Sequence, residues 1–310
     1  MTPPDYDAAI DSAVLFDDSA MGKIILRGPD ARKFLGNLST NDIAKLPIGV
    51  GCPTYFCDSR AKALFQTTVY QILHLDAEAL WLEVTPGRDG ALFQHLDRYL
   101  ISEAVELDNA TERFAQFHLA GPKASAILES PHTVDLPEAS TSLRKRDRLG
   151  LPGHDIVCAK ERSKEISQML LAAGAIPGTP ATREILRIEA GVAEYGKDFD
   201  ESRFVMEIAG AGEAVSYAKG CYLGQEPIVM SRDRAGHAPR SMVKLRGQSP
   251  LAVGAKLFSG ADEIGWVTSA TESPRFGPIA LGYVKWKHRE PGTELEADVS
   301  GERAKVVVQP

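Results

Sequence analysis

From Ser241 to the C-terminus the chain changes texture, and this change constrains its fold more than any other feature. Met242-Val-Lys-Leu-Arg246, Gly265-Trp-Val-Thr-Ser269, Ile279-Ala-Leu-Gly-Tyr-Val284 and Ala304-Lys-Val-Val-Val308 are short runs separated by Gly and Pro. Runs of that length between turn formers read as strands. Their succession predicts a small all-β barrel or sandwich over 241–310.

The preceding 240 residues mix periodicities. Lys23–Arg27 reads as a strand closed by Gly28-Pro29, after which Asp30 can cap a short helix with Phe34, Leu35 and Leu38 on its apolar face. Ala63–Leu75, Leu80–Val84, Glu112–Leu119 and Asp155–Cys158 read as strands. Gly90–Leu100, the residues after Gly121-Pro122, and Ile166–Ala173 before Gly174 read as helices. This mixture predicts α+β layers rather than a doubly wound parallel sheet. Arg144-Lys-Arg-Asp-Arg148 reads as a solvated basic loop, with anion contact as the lesser reading.

The best-marked helix runs from Gly178 to Gly191. Thr179 is its expected N-cap, Pro180 its first residue, Ile185, Leu186 and Ile188 its buried stripe, and Gly191 its left-handed stop. Glu189 falls in the last turn, where the helix dipole prefers cations. The mismatch points to a task for this carboxylate; a salt-bridged surface Glu is the alternative.

Composition narrows the function. The charge of −7, from 35 basic and 42 acidic residues, argues against a nucleic-acid coat or an anionic-membrane binder. No stretch reaches the roughly 18 apolar residues that a span requires, and the acidic start resembles neither a secretory signal nor a transit peptide. Cys52, Cys57, Cys158 and Cys221 lack C-x-x-C spacing, and the histidines lack H-x-x-x-H spacing, so no metal site is expected. The expectation is a soluble cytoplasmic protein with free thiols. No Walker A or Rossmann glycine fingerprint occurs. Trp266, Trp286 and Phe276 read as core or ligand-lid residues rather than a base-stacking platform.

The segment with most chemistry is Ser216–Glu226. Gly220 and Gly224 bracket Cys221 and Tyr222, so the backbone can turn sharply or approach a ligand. Lys219, Arg232 and Arg234 are close in sequence, and nearby cations favour a thiolate. Gln225 and Glu226 add groups able to hydrogen-bond a heterocycle. A buried free cysteine in a tight loop is the competing reading. A Cys221–His237 thiol–base pair is a weaker one.

Lys219-Gly-Cys-Tyr-Leu-Gly-Gln-Glu226 resembles the K-G-C-Y-x-G-Q-E signature of the folate-binding YgfZ-like branch of the glycine-cleavage T-protein superfamily. Gly22–Leu35 and Ser39-Thr-Asn-Asp-Ile43 resemble that family's N-terminal strand, helix and N-D loop. Arg187-Ile-Glu-Ala-Gly191 with Tyr195-Gly196 resembles its R-x-E-A-G-x-x-x-Y-G helix, and Gly265–Ser269 and Ala280–Val284 resemble its C-terminal barrel. The resemblance implies three lobes around a central hole that binds tetrahydrofolate. Two α+β lobes, about 1–46 with 181–240 and 47–180, would precede the barrel. Glu189 would hold the pterin, with Tyr195 nearby, and Arg232 or Arg234 would face the glutamate tail. Cys221 and Lys219 would carry the chemistry, Cys221 as reactive thiol or transient ligand, lining the same cavity as Glu189.

Two departures separate the branches. Aminomethyltransferases of the family have Asp where this chain has Cys221, and an acidic pair where this chain has Ala61–Gln66. The resemblance therefore implies a folate-binding accessory protein for iron–sulfur cluster assembly or repair, and indirectly tRNA modification. Its partners would be folate and iron–sulfur client or assembly proteins, without direct nucleic acid or membrane contact. A folate-dependent aminomethyltransferase or other one-carbon transferase is the alternative, and a non-enzymatic scaffold the second. The chain also departs from its own branch: Met230 stands where Arg is usual, and Arg234-Ala-Gly236 replaces an R-G pair.

Overall fold

The computed structural model describes residues 3–74, 77–136, 142–234, 236–299 and 301–310. It has two five-stranded sheets and a closed six-stranded barrel, the α+β architecture expected. The first sheet contains β2 (Gly22–Arg27), β3 (Gly51–Cys57), β4 (Ala63–His74), β5 (Ala77–Val84) and β6 (Glu106–Asn109), in the order β3-β4-β5-β2-β6. Helices α2 (Ala31–Leu38) and α3 (Asp89–Tyr99) bury Phe34, Leu35, Leu92 and Leu96 in one cluster with Ile24, Leu26 and Leu82 of this sheet.

The second sheet has the order β10-β1-β7-β9-β8, formed by β1 (Val14–Asp17), β7 (Phe114–Ala120), β8 (Ser142–Lys145), β9 (Gly153–Ala159) and β10 (Ile176–Pro177). Helices α4 (Ala124–Leu128) and α5 (Ser163–Ala172) cover its Phe117 and Ile156 side. The sheets do not follow the expected partition at residues 46 and 180. Strands β1 and β2 are adjacent in sequence yet belong to different sheets, because the chain turns at Asp18–Met21, where the Met21 N–H donates to the Asp18 carbonyl at 2.9 Å.

The barrel comprises β11 (Arg240–Gly247), β12 (Lys256–Ser259), β13 (Asp262–Ser273), β14 (Gly277–Lys285), β15 (Glu294–Val299) and β16 (Glu302–Gln309). Inward-facing Val243, Leu245, Val267, Leu295 and Val306 fill it, as alternation along each strand requires. Helix α1 (Tyr6–Asp11), α6 (Pro180–Ala190) and α7 (Gln225–Asp233) sit outside the sheets. Leu75, the expected end of the β4 strand, lies outside the described residues. Asp30 does not cap α2: its carboxylate accepts the Ala104 N–H at 2.8 Å instead. A tertiary donor outcompetes the local one.

Candidate functional site

Helix α6 forms as its sequence dictates. The Thr179 hydroxyl accepts the Thr182 N–H at 3.2 Å, Pro180 follows, and Gly191 closes the helix at φ 75°. Its faces then divide the work. Arg183 and Arg187, one turn apart, border a cavity of about 480 Å³, while Glu189 points to the barrel. There Glu189 Oε1 accepts the hydroxyls of Tyr6 and Ser273, each at 2.5 Å, and Oε2 pairs with Arg275 at 2.5 Å. Burial, then the bond to Glu189, pushes the Tyr6 phenol up. Glu189 therefore ties α1, α6 and the β13–β14 hairpin together. It is not among the residues lining the cavity.

The cavity wall is built from ion pairs between the two sheets. Glu83 on β5, 1% exposed, receives Arg144 at 2.7 Å and Gln116 at 3.1 Å on one oxygen, and Arg146 at 2.6 Å on the other. Arg146 also donates to the Tyr70 hydroxyl at 2.5 Å and to Thr68 at 2.7 Å. Arg148 joins Asp155 at 2.7 Å to Asp18 at 3.1 Å, and Arg183 reaches Asp18 at 2.6 Å. Burial alone would raise the Asp155 carboxyl, but Arg148 and His118 (Nδ1 at 2.8 Å) hold it well below the usual carboxylate range. The Arg144–Arg148 run is thus not a solvated loop. Arg144 is 4% exposed, because buried carboxylates from β5, β9 and the β1–β2 turn face it and its neighbours.

The lining includes the guanidiniums of Arg146, Arg148, Arg183 and Arg187 and the carboxylates of Asp17, Asp18, Glu83, Asp147 and Glu194. Each arginine is already paired; Arg187 holds Asp198 at 2.6 Å and Glu184 at 2.6 Å. Such a wall carries no surplus positive charge and suits a neutral, donor-rich ring better than an anionic group. Gln66 and Tyr195 complete it. Gln66 donates to the Tyr55 hydroxyl at 3.3 Å. The Tyr195 ring lies 4.6 Å from the Arg88 guanidinium and edge-on to Phe199, and burial with a bond to Glu201 pushes its phenol up to about 12.

The cysteine loop sits apart from this cavity. Lys219 donates its three protons to the carbonyls of Gly36, Ser39 and Asn41, at 2.6, 2.6 and 2.7 Å. Burial pushes the amine down to about 8, so it remains an ammonium at neutral pH. It clamps the loop onto the C-terminal end of α2, whose free carbonyls attract a cation. The Cys57 thiol donates to the Leu223 carbonyl at 3.1 Å, and the Leu223 N–H to Asn37 at 3.0 Å. Tyr222 is buried; Gly220 and Cys221 are exposed. Gln225 and Glu226 form the first turn of α7. Arg232 pairs with Asp233 and lies 4.2 Å from the Tyr217 ring, and Arg234 is exposed. Of the expected site residues, the cavity contains Tyr195; Glu189, Lys219, Cys221, Arg232 and Arg234 lie outside its lining.

Two outcomes follow from this loop. Lys219→Ala is expected to lower stability by about 1–3 kcal/mol, since three part-buried carbonyls lose their donor. Added methylammonium should restore part of it in urea unfolding; a variant as stable as the parent would show that the clamp holds nothing. Cys221 is expected to react first with a disulfide reagent. Cys57 and Cys158 are buried, and burial pushes the Cys52, Cys57 and Cys158 thiols up to about 11, 12 and 11. Mass mapping at partial labelling checks the order.

Among the described residues, no three His, Cys, Asp or Glu are grouped to hold a metal ion, and no helix is long and apolar enough to cross a membrane. The profile described as GCVT N-terminal domain matches residues 4–147, and that described as Glycine cleavage T-protein C-terminal barrel domain matches residues 240–310. The aminomethyltransferase of Geobacillus kaustophilus (strain HTA426) is 30% identical over 328 aligned residues, covering 99% of this chain and 88% of the relative. The chain belongs to the glycine cleavage T-protein family. The aminomethyltransferase of Desulforamulus reducens is 27% identical, with coverage of 99% and 88%. The T-protein fold is shared with the glycine cleavage system aminomethyltransferase T of Bartonella henselae, at TM-score 0.88 and 23% identity, covering 100% of this chain and 90% of that one.

In this T-protein family member, the cavity residues that sequence reasoning missed are Asp18, Glu83, Arg146, Arg148 and Arg183. One signal existed. Arg144, Arg146 and Arg148 alternate with the period of a strand, and Arg183 and Arg187 share a helix face.

Proposed function

We propose that the cavity binds the neutral pterin end of a tetrahydrofolate and that the protein is a folate-dependent one-carbon transferase of the aminomethyltransferase kind. The observation that carries this reading is the cavity of about 480 Å³ between the two sheets and α6, in a chain related over nearly its whole length to aminomethyltransferases. The volume is that of a small-molecule site. A pterin is neutral, with an amide-like edge of N–H donors. Asp17 and Glu194 offer carboxylate oxygens for that edge, and the Tyr195 ring offers a face. The paired arginines fix the wall without calling for an anion. When bound, the folate supplies the nitrogen that carries the one-carbon unit; the chain positions it and shields it from water.

A second reading rests on Gln66 and Cys221. Gln66 lines the cavity where the acidic pair of the aminomethyltransferases is expected, and an amide moves no proton at neutral pH. Cys221 is exposed on a loop held by Lys219. Both favour the accessory role in iron–sulfur cluster assembly or repair, with folate as bound ligand and iron–sulfur client proteins as partners.

Calorimetry with tetrahydrofolate tests the shared part. Binding heat is expected, weakened about tenfold in Tyr195→Ala if the ring packs on the ligand, and retained in Glu189→Ala. No heat with the parent protein removes the cavity reading. Formation of methylenetetrahydrofolate from an aminomethyl donor supports the transferase. Heat without turnover, together with loss of an iron–sulfur enzyme's activity in a Cys221→Ser strain, supports the accessory role.

A further inference from the structure

A contiguous basic and aromatic strip runs along one end of the barrel, apart from the cavity. The guanidiniums of Arg203 and Arg240 lie 5.3 and 4.9 Å from the centre of the Trp266 ring. Arg240 opens β11 and pairs in register with Lys285 at the end of β14. The next residue, Trp286, donates its N–H to the Pro239 carbonyl at 3.2 Å. Its ring stacks on His237 at 4.9 Å and 14°, and Arg289 lies 3.5 Å from its centre. Lys287 follows and is exposed.

The carboxylates beside this strip sit at its margins. Glu290 pairs with Arg289 at 2.7 Å, Glu207 lies 3.9 Å from Arg203, and Glu263 pairs with Lys256. Among the described residues, Arg240, Lys285 and Lys287 make no ion pair. Arg240 donates to the Ile264 carbonyl at 3.5 Å, and Lys285 to the Glu263 carbonyl at 3.0 Å. Unpaired cations are thus gathered on a chain of net charge −7. A patch of sign opposite to the whole steers an oppositely charged partner to one place.

We propose that this strip is the docking surface for an acidic segment of a partner protein, whose Asp and Glu carboxylates pair with Arg240, Lys285 and Lys287. Guanidiniums laid on indole rings are already ordered, so they lose little freedom when they take a carboxylate. Trp and Arg are also the residue types that dominate interface energetics. Single-stranded nucleic acid suits the strip less well. Each indole already carries two groups at its ring, with which a base would have to compete.

The test uses the full chain and fluorescence anisotropy with labelled poly-L-glutamate, against an oligouridylate of equal length, at about 50 mM salt and above. Poly-L-glutamate is expected to bind, to weaken steeply with salt, and to lose at least about tenfold in affinity in the double variant Lys285→Glu, Lys287→Glu. The variant's melting temperature and its tetrahydrofolate heat should match the parent's, since both lysines are exposed and remote from the cavity lining. No binding by the parent at low salt, or equal binding by the double variant, overturns the proposal. Tighter binding of oligouridylate than of poly-L-glutamate also overturns it, in favour of nucleic acid.

Discussion

Replacing Glu83 by alanine is expected to lower the free energy of unfolding by about 3–5 kcal/mol, as removing one partner from a buried ion pair does. Glu83 belongs to the first sheet, while its donors Arg144, Arg146 and Gln116 belong to the second sheet or the segment leaving it. Alanine leaves guanidiniums facing each other across a buried seam. Lys23, fully buried and pushed down to about 8, first by burial, also loses the carboxylate that supports its charge. Glu83→Gln should recover little, because its amide directs donors at donors. Urea unfolding of both variants is the measurement. A loss below about 1 kcal/mol, the range of an exposed pair, would mean that this network does not hold the sheets together.

The second large effect concerns two glycines that look alike in sequence. A Cβ on Gly224, at φ 81°, would lie 2.4 Å from the Asp58 carbonyl oxygen and 2.6 Å from the Cys57 sulfur. Gly224→Ala combines a left-handed backbone with overpacking, for a loss of about 2–5 kcal/mol. A Cβ on Gly220 would meet nothing within 4 Å, so Gly220→Ala should stay within about 0.5 kcal/mol of the parent. Thermal unfolding of the pair decides. Equal losses would mean that both glycines serve the loop's turn, not the seat against Cys57.

How much of this was legible in the sequence depends on how local each cause is. Thr179, Pro180 and Gly191 act within one turn of their own helix, and they bound α6 as read. The barrel was legible because its strands alternate and its turns are marked by Gly and Pro. The Arg144–Arg148 run was misread because its partners, Glu83 and Asp18, lie far along the chain, and no local pattern announces them. Glu189 shows a related limit. Its helix position shows that the dipole does not want it, but not that Tyr6, Ser273 and Arg275 do. The fold rests on periodicities that a short window reveals. The cavity is assembled from residues between 17 and 195, and only the three-dimensional arrangement gathers them.

The crossing at Asp18–Met21 has a consequence for synthesis. Strand β1 is made first, but its parallel neighbour β10 appears only at residues 176 and 177. The sheet containing β2 through β6 is continuous from residue 22 to 109, so it can close while the ribosome is still adding the second half. The opening strand waits unpaired until β7 emerges at residues 114–120, and its other edge stays exposed to proteases and to other nascent chains until residues 176 and 177 have followed.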